Sequence, residues 1–190
     1  NAEYMTTTGR YKFRYSKIGG YDTTEVRQNG DVNTLRLEAG LFGRITDGDW
    51  NAKLYYYKSD RGFPGAAVRD NPGVFIHQDR QWDDNFFFQS SYRKKISDFY
   101  SIQLKGKYAY DYLHYLSDPR LDVSTMYIDN HFRQQEGYFS AANLFNILPF
   151  WSFNLSTDLM FNTLNANLYD FVFPSRSTVF NALATNLTFS

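Results

Sequence analysis

The sequence predicts an all-β fold: an antiparallel up-and-down meander of about eight long strands. Three observations carry that prediction. Apolar and polar residues alternate with period two over unusually long runs, as from Tyr100 to Tyr112. Short turns marked by Gly, Asp or Pro take turns with long connections. The third is an imbalance of composition. The 190 residues include 18 Phe, 16 Tyr and 3 Trp, yet mean hydropathy is only −0.53. Heavy aromatics in a chain of low hydropathy suit a sheet whose two faces meet different surroundings.

The elements follow in order. Arg10–Lys17 sets Tyr11, Phe13 and Tyr15 against Arg10, Lys12 and Arg14, and is the expected first strand. Asn33–Ile45 places Leu35, Leu37, Ala39, Leu41 and Ile45 opposite Thr34, Arg36, Glu38 and Arg44. In the third strand Trp50, Ala52, Leu54 and Tyr56 share a face against Asn51 and Lys53. Phe86, Phe88, Tyr92 and Ile96 share a face of the fourth, with Phe87 on the other. The fifth runs from Tyr100 through Ile102, Leu104, Gly106, Tyr108, Tyr110 and Tyr112, against Ser101, Gln103, Lys105, Lys107, Ala109 and Asp111. His131–Phe145 is ambiguous in its first half and settles into Tyr138, Ser140, Ala142 and Leu144. The seventh carries Trp151, Phe153, Leu155, Leu159 and Phe161 against Ser152, Asn154, Ser156 and Asp158. Thr178–Phe189 alternates loosely through Val179, Leu183, Leu187 and Phe189. No segment has a helical period. Asn1-Ala2 reads as a cloning remnant, outside the fold. From the strand-like ending at Asn186–Ser190, residues 1–190 are expected to be a single partial segment of a longer protein.

The connections narrow the class. Thr46–Asp49, Ile96–Phe99 and Asn146–Phe150 are short, whereas Ile18–Asp31, Asp60–Asp84, Leu116–Asn130 and Tyr169–Ser177 are long. In an up-and-down sheet all short turns then fall at one rim and all long loops at the other. That sorting, with long alternating strands, is the pattern of a transmembrane β-barrel of the bacterial outer membrane. Trp50, Tyr100 and Trp151 each open the strand leaving a short turn. They are the expected membrane-interface girdle, since an aromatic ring suits the boundary between hydrocarbon and headgroups. Hydrocarbon demands that every backbone polar group be paired, which excludes everything but helices and closed barrels.

Several function classes are disfavoured. Net charge is zero, giving no electrostatic footprint for nucleic acid. The absence of cysteine removes disulfide and thiolate chemistry. Asp47-Gly-Asp-Trp-Asn51 begins like a calcium loop but has Ala52 where Gly is needed and Lys58 where a bidentate Glu belongs. His77, His114 and His131 lie in or beside different long connections without metal-ligand spacing; only the meeting of those loops at one rim would bring them together. No nucleophile-elbow, zinc-protease or phosphate-loop motif is present. The expectation is no enzyme, no cofactor and no metal.

The connection Asp60–Asp84 is the expected carrier of function, being long and rich in both turn residues and apolar ones. Its candidate ligand-contacting residues are Arg61, Phe63, Arg69, His77 and Trp82. The run Ser59-Asp-Arg-Gly-Phe-Pro-Gly-Ala66, followed by Asp79-Arg-Gln-Trp-Asp-Asp-Asn-Phe-Phe-Phe88, resembles the barrel portion of TonB-dependent outer-membrane receptors. More narrowly it is similar to the cobalamin- and siderophore-type receptors of gut and oral anaerobes. The resemblance implies a barrel of about 22 strands, plugged by an N-terminal domain and importing a scarce nutrient with energy from the TonB complex. Its implied partners are outer-membrane lipid, the plug, TonB and a small-molecule ligand. The chain shows no signal, TonB box, plug or terminal barrel strand, so this piece alone is not expected to transport.

Two other readings stay open at this stage: a complete small eight-stranded outer-membrane barrel, structural or adhesive, and a soluble aromatic-rich β-sandwich binding module. The membrane reading turns Leu104, Tyr108 and Leu155 toward lipid. It turns Lys105 and Asn154, with Arg36, Glu38, Lys53, Lys107 and Asp158, toward a polar interior.

Overall fold

The computed structural model describes residues 1–16, 20–64, 79–117, 127–167 and 173–187. Among them every regular element is a strand: β1 (Ala2–Thr7), β2 (Lys12–Ser16), β3 (Asp22–Val26), β4 (Val32–Ile45), β5 (Gly48–Phe63), β6 (Asp79–Lys95), β7 (Tyr100–Ser117), β8 (Ile128–Leu148), β9 (Trp151–Ala166) and β10 (Arg176–Leu187). One antiparallel sheet of eight strands runs β1-β4-β5-β6-β7-β8-β9-β10, and β2 with β3 forms a separate hairpin. From β4 to β9 the strands are 14 to 21 residues long, against about 5–6 in an ordinary globular protein.

The meander is as the alternation predicts, with three corrections. Arg10–Lys17 is not the first strand of the large sheet. Its Lys12–Ser16 portion pairs with Asp22–Val26 in the hairpin, where the Phe13 and Tyr15 rings stack at 5.7 Å. The edge strand is instead Ala2–Thr7, with Ala2 opposite Leu37 and Tyr4 opposite Leu35. The segment set aside as a remnant therefore belongs to the sheet: the Asn1 amino group donates to the Glu38 carbonyl at 2.8 Å. The third correction is in β8. Phe139, Ala141 and Phe145 share the apolar face, and Tyr138, Ser140, Ala142 and Leu144 face the other way, opposite Lys107, Lys105, Gln103 and Ser101. The small and polar residues between 138 and 144 blurred the contrast on which the period-two reading depends.

Short turns do fall at one rim. Thr46-Asp47, residues 96–99 and Pro149-Phe150 connect β4–β5, β6–β7 and β8–β9. Asp47 takes a φ of 60°, the left-handed conformation that tight hairpins need and that Asp tolerates. The next residue has no space to spare: a Cβ on Gly48 would lie 2.4 Å from the Arg93 carbonyl oxygen. A register shift between Asn146 and Leu148 inserts one extra residue at the Pro149 turn, where Ile147, Leu148, Phe150 and Trp151 are all exposed. The connection between β5 and β6 is shorter than the sequence suggests, because β5 continues to Phe63 and β6 starts at Asp79.

The strands are staggered. Pairing carries the Trp50 row through Tyr92, Leu104, Ala141 and Thr157. Tyr100 lies four residues below this row on β7, and Trp151 lies six residues below it on β9. Six residues at about 3.3 Å, taken against four inter-strand steps of about 4.8 Å, set the line from Trp50 to Trp151 at about 45° to the pairing rows.

The sheet is a single layer without a core. Among the described residues Ala109 alone is a buried hydrophobic. Leu54, Phe88, Tyr108, Phe139, Leu155, Leu159 and Phe161 are all exposed, and pairing places them on one face. The other face carries Arg36, Glu38, Lys53, Lys105, Lys107, Glu136, Asn154 and Asp158. Among the described residues two packed sheets, as a sandwich requires, are not formed. Nor do β1 and β10 pair with each other among the described residues, so the eight strands do not close on themselves.

Candidate functional site at the long-connection rim

Side-chain chemistry concentrates where β5, β6, β7 and β8 reach the long connections. It divides between the two faces, because successive residues of a strand point opposite ways. Arg61 and Phe63 lie on the charged face and Trp82 on the apolar face. All three are strand residues, which corrects their expected place in a loop. Arg69 and His77 lie outside the described residues. The five candidates therefore do not form one site; those that are described belong to two.

On the charged face the Arg61 guanidinium lies 3.1 Å from an Asp83 carboxylate oxygen and 5.6 Å from the Phe63 ring centroid. Phe63 meets Tyr115 edge-on at 6.3 Å. Tyr115 donates its hydroxyl to Asp79 at 3.4 Å; burial, then the Asp79 charge, raises the phenol above its ordinary pKa. Three polar atoms of this cluster, Ser59 Oγ, Arg61 Nε and Asp79 Oδ1, are enclosed without a hydrogen-bond partner among the described residues. A buried donor or acceptor left unpaired costs about 1–3 kcal/mol. A cationic donor, a carboxylate acceptor and two rings side by side offer a small polar ligand both orientation and a stacking surface.

On the apolar face, at the same rim, Trp82 stacks on His114 at 4.5 Å and His114 on His131 at 3.9 Å. Asp129 Oδ1 lies 2.7 Å from His114 Nε2 and 3.1 Å from His131 Nε2. The Tyr112 hydroxyl is 2.8 Å from His131 Nδ1. His114 and His131 face each other across the β7–β8 ladder, and Asp129 is two residues from His131 on the same side. Sequence spacing concealed this grouping, since the strand pairing alone makes 114 and 131 neighbours. His77 lies outside the described residues.

A third arrangement holds the rim together. Arg80 reaches Asp31 at 2.8 Å and Asp60 at 2.6 Å. The hydrogen bond from Arg80 holds the Asp31 carboxyl below the usual carboxylate range. Asn29 donates its side-chain amide to the carbonyls of Phe63 (2.9 Å) and Asp79 (2.8 Å), tying the base of the β2–β3 hairpin to the ends of β5 and β6.

At the opposite rim the three expected girdle residues lie on the apolar face or at its short-turn edge. The Trp50 ring covers Gly43, where a Cβ would meet its Nε1 at 2.4 Å. Tyr100 stacks on Phe145 at 5.0 Å and donates its hydroxyl to Asn143 at 2.7 Å. Trp151 Nε1 donates to Thr185 at 2.7 Å. Tyr100 and Trp151 thus present apolar bodies with their polar tips satisfied.

The fold and these faces define an all-β protein built as one tilted antiparallel layer, apolar on one side and charged on the other. The chain matches no protein-family model and no curated protein.

Proposed function

We propose that the chain is a membrane-spanning section of an outer-membrane β-barrel and, within that class, part of a TonB-dependent receptor that imports a scarce nutrient such as a cobalamin or a metal chelate. One observation carries the barrel reading: the charge-free belt on the apolar face. From Tyr100 to Tyr110 on β7, from Trp50 to Tyr56 on β5 and from Phe153 to Thr163 on β9, that face has no charged residue. Charges return at Lys94 on one side, and at Lys58, Asp84 and Arg133 on the other. The Tyr100–Tyr110 stretch covers about 33 Å of strand, and a slant of about 45° reduces it to about 23 Å of height, close to the ~25 Å lipid-facing band of such barrels. A slant of that size also suits a closed barrel, whose strands tilt by about 35–45°.

The same rows carry Arg36, Glu38, Lys53, Lys105, Lys107 and Glu136 on the reverse face, as suits a wet interior or a plug. Against a complete eight-stranded barrel stand the unpaired edges β1 and β10 and the strand length. Support for the receptor class is the resemblance of residues 59–88, together with the Arg61–Asp79–Tyr115 cluster facing inward at the extracellular rim. Its partners in this reading are outer-membrane lipid, an N-terminal plug, the TonB complex and a small-molecule ligand.

Cysteines placed singly at Leu104 and Lys105 in the full-length protein test the barrel. A lipid-soluble thiol reagent should modify position 104 and a water-soluble one position 105; reversed accessibility refutes it. Uptake of cobalamin or ferric chelates by cells carrying the full reading frame tests the receptor. Uptake that survives collapse of the proton-motive force argues for a passive barrel.

A further inference from the structure

We propose that His114, His131 and Asp129 form a binding site for one divalent transition-metal ion, zinc being the natural probe, which staples β7 to β8 at the long-connection rim. The inference rests on strand pairing and side-chain geometry and holds whether or not the sheet spans a membrane.

The ladder supplies the placement. His131 is the direct cross-strand partner of His114, and Asp129 the partner of Leu116, so the three ligands occupy one face within two rows. One potential ligand atom from each lies within 4.8 Å of the others. A tetrahedral site with metal–nitrogen bonds of about 2.0–2.1 Å would hold them about 3.3 Å apart. Both Nε2 atoms already converge on the same carboxylate oxygen. Two imidazole nitrogens and one carboxylate oxygen are the donor set of zinc, nickel or copper rather than of magnesium or calcium.

The surroundings favour a metal. The Tyr112 hydroxyl can accept a hydrogen bond from His131 Nδ1–H at 2.8 Å, in the tautomer that leaves Nε2 free for a cation, as the outer partners of metal-bound histidines do. Asn167 fixes the backbone spacing of Asp129 and His131: its amide donates to the Asp129 carbonyl at 2.8 Å and its oxygen accepts from the His131 N–H at 2.6 Å. The Trp82 ring, stacked on His114, limits how that imidazole can turn. His114, Asp129 and His131 are all partly exposed, leaving room for entry and for water at the open coordination positions.

The experiment is equilibrium dialysis of the full-length folded protein in detergent against zinc chloride, with magnesium and calcium as controls. One zinc per chain in the micromolar range is expected, lost at least 30-fold in the paired variant His114→Gln/His131→Gln, with no comparable uptake of magnesium or calcium. If the paired variant fails to fold, the wild type still decides: zinc should protect His114 and His131, mapped by mass spectrometry, from an imidazole-modifying reagent. No zinc uptake by the folded wild type, uptake unchanged in the paired variant, or modification unaffected by zinc would each overturn the proposal.

Discussion

The Lys107 ammonium lies 2.9 Å from a Glu136 carboxylate oxygen, on the face opposite Tyr108, whose ring is exposed on the apolar side. Adjacent residues of one strand thus experience opposite surroundings, and the consequences can be measured.

Leu104 lies between Tyr92 and Ala141 in the belt. In the bilayer-inserted protein Leu104→Lys should cost about 2–4 kcal/mol, because a charge near mid-membrane cannot reach water cheaply. The same substitution at Gln103, on the charged face, should cost well under half as much. Folding titrations in urea with phospholipid vesicles measure both; equal costs would mean that the apolar face does not meet lipid.

The Lys107–Glu136 pair should contribute little. Both side chains remain partly exposed, at 40% and 29%, and such pairs typically couple by about 0.2–1 kcal/mol. A double-mutant cycle with Lys107→Ala and Glu136→Ala should fall in that range. A coupling above about 2 kcal/mol would place the pair in a dry interior rather than a wet one.

The rim clamp should respond to acid. Arg80 holds Asp31 below the pKa of an unfolded aspartate, so its stabilisation is complete above about pH 4 and is lost as pH falls through the lower, folded value. The Gly62 amide, which donates to the Asp31 carbonyl at 2.9 Å, is the reporter. Its hydrogen-exchange protection should decline on acidification, and Asp31→Asn should remove that dependence. A profile identical in the variant would assign the acid response to another group.

The cluster on the charged face is expected to bind ligand through Arg61. Arg61→Ala should weaken ligand binding about tenfold or more, since hydrogen bonds to charged groups contribute about 1.5–3 kcal/mol. Trp82→Ala, on the other face, should leave affinity nearly unchanged. Equal losses would mean that the faces do not separate at this rim.

Gly48 tests the short turns. A Cβ there would meet the Arg93 carbonyl, which is backbone and cannot rotate away. Gly48→Val should cost about 1–3 kcal/mol, the usual range for overpacking. Urea-midpoint shifts in detergent measure it, and a neutral substitution would mean that the β5–β6 ladder is looser than this contact requires.

Much of this architecture is local information. Alternation from Trp50 to Tyr56 and from Tyr100 to Tyr112 determines which residues share a face, because the side-chain period of a strand is two whatever lies beside it. The turns at Asp47 and Pro149 determine which neighbours pair, and so the register between them. Tertiary structure decided the rest. Ala2–Thr7 shows little alternation of its own and is a strand because β4 offers it an edge; the stronger pattern of Lys12–Ser16 found its partner in β3. The β8 register is set by ladders on both sides, not by its own small and polar residues. The two candidate sites are decisions of the same kind. Arg61 and Trp82 are close in space but on opposite faces, while His114 and His131, far apart in the chain, face each other across a ladder. No spacing along one strand encodes which residue of another will lie opposite; only the accumulated register of the sheet does.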